Sequence, residues 1–163
     1  MSREIKFRAK VADSDYENEK QSEMIGSFVH FTGFIGLEND TGYVEQLEEI
    51  HGVGWFDVDL KTLGQYTGLK DKRGTEIFEG DILKCKCWDK RKSSIDGFDP
   101  LGETPYFYRN SVIEWWHSHC NLGYRLRDGK GKTLMIKPSS LNAMEVEVIG
   151  NIYEHKHLLE ETA

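Results

Sequence analysis

Three cysteines, an odd number, are too few for a disulfide framework, and reduced thiols are expected. No run of about eighteen apolar residues is present, so no membrane span and no membrane partner are expected. A secretory signal is also missing. Where one would need a basic segment followed by an apolar one, Arg3-Glu4-Ile5-Lys6-Phe7-Arg8 alternates charge with apolar residues. A cytoplasmic location follows. Long stretches rich in Leu, Ala, Glu and Lys are few, which counts against long helices, and no internal repeat is visible. Gly-x-Ser-x-Gly, the phosphate-binding loop and the dinucleotide fingerprint are all absent. The sequence itself therefore specifies no activity: no catalytic residue is assigned and no cofactor is expected.

What is present favours strands. Aromatic residues make up 12% of the 163 positions, with four Trp, and sixteen Gly supply turns. This composition suits pleated surfaces and predicts a mainly β chain with minor α content. The length suffices for one domain, or for a domain with a small lobe, with an adequate core. The net charge of −7 argues against indiscriminate binding to nucleic acid, but it is unevenly placed. Residues 1–69 carry 13 acidic against 6 basic side chains, whereas residues 70–137 carry 10 against 14. The central block is the one locally basic part.

That block is organised around Gln65 to Trp88. Asp71 opens a four-residue turn that Gly74 closes, because a carboxylate can accept from nearby N–H groups and glycine takes positive φ cheaply. A short strand follows, and Glu79-Gly80-Asp81 turns the chain again. From Ile82 the residues alternate, with Leu83, Cys85 and Cys87 on one side and Lys84 and Lys86 on the other, the period of a half-buried strand.

Three blocks here resemble the YopX protein family of phages and prophages: Tyr66-Thr67-Gly68-Leu69-Lys70-Asp71 with Gly74, Glu76-Ile77-Phe78-Glu79-Gly80-Asp81-Ile82, and Ile149-Gly150-Asn151-Ile152-Tyr153-Glu154. Ile5-Lys6-Phe7-Arg8-Ala9 is similar to that family's opening strand. The resemblance implies a phage-type origin, hence a bacterial host cell, and carries no catalytic set. Gly-Asp-Ile at the head of a strand with antiparallel partners is also similar to small SH3-like barrels. The expected architecture is an antiparallel SH3-like barrel over residues 65–163, with a β/α lobe over residues 1–64 packed on it.

Along the rest of the chain, Ile5, Phe7, Ala9 and Val11 alternate with cations and predict a strand. Asp13–Glu23 reads as a flexible connection, and one or two short strands are expected in Met24–Phe34. Tyr43, Val44, Leu47 and Ile50 fall at helical spacing, predicting a helix over Thr41–His51; the alternative is a strand through Tyr43-Val44 followed by a helical turn. Asp89–Asn110 has no regular pattern and predicts a long connection, of the kind that is functional or disordered. Strands are expected at Val112–Trp116, Tyr124–Arg127, Leu134–Ile136 and Glu145–Val148, with a helical turn at the end.

Two clusters carry chemistry. Lys84, Lys86, Lys90, Arg91, Lys92, Arg125 and Arg127 with Tyr106 and Tyr108 form a candidate nucleic-acid surface, since aromatic faces stack bases and cations meet phosphates. Their ordinary reading is a solvated strand edge and loop. Cys85, Cys87, His117 and His119 have the ligand types for zinc, but paired ligands usually have two to four residues between them and each pair here has one, so the ordinary reading is core thiols with turn histidines. The leading expectation is a non-enzymatic phage accessory protein that works by contact, as a homo-oligomer or on an unknown host or phage protein. A nucleic-acid binder and a zinc-dependent enzyme are the alternatives.

Overall fold

In the computed structural model, which describes residues 4–50, 53–89 and 105–160, the chain divides into two units, Met1–Gly68 and Leu69–Ala163. In the first, the strands β1 (Phe7–Val11), β2 (Phe28–Phe31), β3 (Phe34–Glu38), β4 (Thr41–Ile50) and β5 (Val53–Lys70) are ordered β2-β1-β5-β4-β3, and a one-turn helix α1 (Glu19–Glu23) precedes β2. The polar stretch from Asp13 thus contains a helical turn, capped by the Asn18 side chain on the Lys20 N–H. Ala9, Val11, Val29, Phe31, Val44, Phe56 and Val58 form its buried core.

Where a helix is expected over Thr41–His51, Thr41–Ile50 is a strand; His51 lies outside the described residues. Tyr43 and Glu45 are exposed while Val44 and Gln46 are buried, a period of two. Pairing decided it: Thr41 to Glu45 register against Asp59 to Trp55 of β5, and Tyr43 stacks on Trp55 at 5.8 Å. Spacing over four apolar residues is compatible with either period, and the cross-strand ring pair exists only in the sheet.

The second unit carries β6 (Glu76–Phe78) and a five-stranded antiparallel sheet. That sheet comprises β7 (Asp81–Trp88), β8 (Tyr106–His117), β9 (Leu122–Asp128), β10 (Thr133–Met135) and β11 (Glu147–Asn151) in the order β10-β9-β8-β7-β11. A short helix α2 (Pro138–Ala143) and a 3-10 turn (Lys156–Leu159) complete the unit. The order has two ends, so the expected SH3-like barrel does not close: both sheets are open, with β10 and β11 at the edges of this one. Ile77, Leu83, Cys85, Ile113, Leu126, Leu141 and Val146 fill its core.

The central turns form as their chemistry requires. Gly74 and Gly80 have φ of +88° and +84°, and the Asp71 carboxylate accepts from the N–H groups of Arg73, Thr75 and Val148 at 2.8–3.0 Å. Asp81, 1% exposed, accepts from the Phe78 N–H at 2.8 Å across the second turn. Tyr106 to Asn110, expected in a long connection, belong to β8 and register against Trp88 to Lys84. Gly150 sits beside a bulge in β11, where an added Cβ would come within 2.8 Å of the His155 ring. Gly150→Ala is therefore expected to lower stability by about 1–2 kcal/mol in urea denaturation, the cost of overpacking a closed contact.

Candidate interaction surface and thiol cavity

Alternation along β7 sends its side chains to two different environments. Leu83, Cys85 and Cys87 face the core, and Lys84, Lys86 and Trp88 face outward. Residues directly opposite one another in an antiparallel pair share a face. The pairs Lys84–Asn110, Lys86–Tyr108 and Trp88–Tyr106 therefore build one outer surface. The Lys84 ammonium stands 4.7 Å from the Tyr108 ring centre and that of Lys86 4.5 Å from Tyr106, while Trp88 meets Tyr106 edge-on at 4.9 Å. Trp88, Tyr106 and Tyr108 are nevertheless 50%, 44% and 55% exposed.

Arg125 and Arg127 of β9 lie on this same face, in register with Glu114 and Val112. Six of the nine residues proposed for nucleic acid are thus brought together; Lys90, Arg91 and Lys92 lie outside the described residues. Their charges are largely spent within the protein. Both arginines bind Glu114, at 2.7 and 2.9 Å, and Lys86 binds Glu145 at 2.6 Å. Burial would raise the Glu114 carboxyl, but the hydrogen bonds from Arg127 and Arg125 outweigh it and hold the group below the usual carboxylate range. Lys84 carries no ion pair among the described residues. The surface is more aromatic than cationic.

The four residues considered for zinc do not gather. Cys85 and Cys87 stand opposite Arg109 and Phe107, whereas His117 ends β8 opposite Leu122, some eight residues or about 26 Å further along the strand. His119 lies in the exposed turn beyond it. No group of three or more His, Cys, Asp or Glu able to hold a metal occurs among the described residues. Burial, with the neighbouring Cys87, pushes the pKa of Cys85 up to about 12 against the pull of Arg109. Burial raises Cys87 too, against Arg109 and Lys132. Each thiol points at a backbone carbonyl, Cys85 at Leu83 and Cys87 at Cys85, at 3.6 and 3.8 Å.

The core face holds something that sequence reasoning missed. Between the thiols, Arg109, Lys132, Leu126 and Leu134 lies a cavity of about 210 Å³. Alternation puts Cys85 and Cys87 on this face, but only the β7–β8 register puts Arg109 beside them. No described helix is long and apolar enough to cross a membrane.

Fold and surface together define a class: an antiparallel β protein of two open-sheet units, with an outward aromatic face and a small cation-lined cavity. The chain belongs to the YopX family, whose model, described as YopX protein, matches residues 6–160. It is similar to protein EF1440 from Enterococcus faecalis, known from a crystal structure, with 22% identity over 95% of this chain and 97% of that one and a TM-score of 0.42. No curated protein matches it significantly.

Proposed function

We propose that this is a phage- or prophage-encoded accessory protein that works by contact, not catalysis, in the cytoplasm of the bacterial host. The outer face of β7, β8 and β9 is its working surface. One observation carries the reading: Trp88, Tyr106 and Tyr108 stay about half exposed on a single face, although large aromatics are the residues that most stabilise an interface when covered. The partner that fits best is a protein, and a second copy is the first to test. The same sheet ends in the edge strands β10 and β11, and an edge strand offers backbone groups with which the edge of a second copy can pair. Sedimentation at rising concentration tests this. Self-association weakened on the order of tenfold by Tyr106→Ala with Tyr108→Ala supports it. A monomer at all concentrations removes the second copy as partner.

A second reading, single-stranded nucleic acid, is favoured by the six proposed residues sharing the aromatic face. With its arginines already paired, the face offers few cations for phosphate, so any such binding should show a shallow salt dependence, the logarithmic slope scaling with about 0.7 per phosphate neutralised. No retardation of single-stranded DNA or RNA at low salt would eliminate this reading and leave the first intact.

A further inference from the structure

The cavity lies on the core face of β7 and β8, away from the outer face, and its lining mixes apolar groups with two cations and the hydroxyls of Ser111 and Thr133. Leu126, Leu134 and Met144 join the two thiols as its apolar part. Its charged part is Arg109 and Lys132. The Arg109 Nε lies 3.4 Å from Asp128, the one carboxylate paired with it among the described residues, and its guanidinium carbon stands 5.3 Å from the Phe107 ring centre. The Lys132 ammonium has no ion pair among the described residues. Asp128 is fully engaged, its other oxygen accepting from the Lys130 and Lys132 N–H groups at 3.1 and 2.8 Å.

We propose that this cavity binds a small organic monoanion, a carboxylate carrying a short apolar tail. Charge balance sets the valence. Two cations against one carboxylate leave one positive charge at the cavity wall, which a monoanion neutralises and a phosphate dianion overshoots. A planar guanidinium fork matches a carboxylate in two parallel hydrogen bonds. Size limits the tail: about 210 Å³ is below the range of ordinary ligand pockets, so nucleotides are excluded. The lining requires the tail, since a bare inorganic ion would also face sulfur and methyl groups.

Three probes separate the terms: pentanoate has charge and tail, 1-pentanol the tail alone, inorganic phosphate the charge alone. Titrated into the full-length protein with the methyl resonances of Leu126, Leu134 and Met144 observed by NMR, pentanoate is expected to give saturable shifts. The other two should bind at least about tenfold more weakly, the contribution of a charge-assisted hydrogen bond or of a few buried methylenes. Lys132→Met, at an exposed position before β10, should weaken pentanoate by a similar factor and leave 1-pentanol unchanged. The proposal is overturned by absence of saturable shifts, by 1-pentanol or phosphate binding as well as pentanoate, or by an unaltered titration in the variant. None of these results bears on the outer aromatic face.

Discussion

Replacing Asp71 by alanine is expected to lower the stability of the protein at neutral pH by about 3 kcal/mol, read from urea denaturation midpoints. The side chain is 8% exposed, and its two oxygens accept from three backbone N–H groups. Two belong to its own turn. The third, from Val148, lies 77 residues away and attaches the turn to β11. Alanine would leave all three donors without their acceptor in a closed region. Asp71→Asn keeps one carbonyl oxygen for the turn but sets an amide donor against the Val148 N–H, so roughly half the loss is expected.

The same contacts give a pH dependence. Burial by itself would raise the Asp71 carboxyl, but the N–H groups of Val148, Thr75 and Arg73 outweigh it and depress the group below its ordinary range. A depressed carboxyl means that the unfolded chain binds more protons. Its contribution is therefore complete above the unfolded value of about 4 and disappears as pH falls through the lower folded value. Asp71→Ala should then differ from the parent strongly at pH 7 and much less near pH 2. An equal difference at both would show that the carboxylate's charge is not what the N–H groups require.

Ile113→Ala is expected to cost about 3–4 kcal/mol, the range for emptying a fully buried aliphatic site. Ile113 has no exposed surface, lies opposite Leu126, and sits on the strand flanked by β7 and β9. Its carbonyl also accepts from the Gly80 N–H at 2.9 Å, so collapse around the void is restrained where the second central turn meets the sheet. Tyr108→Ala on the same strand should change stability by no more than about 0.5 kcal/mol, as a surface substitution does. That contrast is needed in the binding tests, where an aromatic variant must lose contact without losing its fold.

Much of the second unit was legible because its rules are local. Asp71 and Gly74 specify their turn within four residues, Gly80 supplies the positive φ of the next, and the alternation from Leu83 to Lys86 needs only neighbouring side chains to assign faces. The family blocks lie on these same stretches. The errors came where local chemistry permitted two outcomes. Thr41 to Ile50 carries an apolar spacing that a helix or a strand can use, and β5 decided between them. Tyr106 to Asn110 shows no pattern of its own; its extended form comes from the ladder it makes with β7. Closure of a barrel likewise depends on whether edge strands meet, which no single strand encodes.

The chain's own residues determined that it is mainly β, where its central turns fall, and which side of β7 holds thiols and which holds lysines. Only tertiary structure decided what stands opposite each of them: Arg109 beside the thiols, His117 at the far end of β8 with His119 beyond it, and the arginines of β9 already bound to Glu114. The reason is that turns and alternation arise from forces within a few residues, whereas register is chosen by partners remote in sequence, and a shift of one position would exchange the two faces.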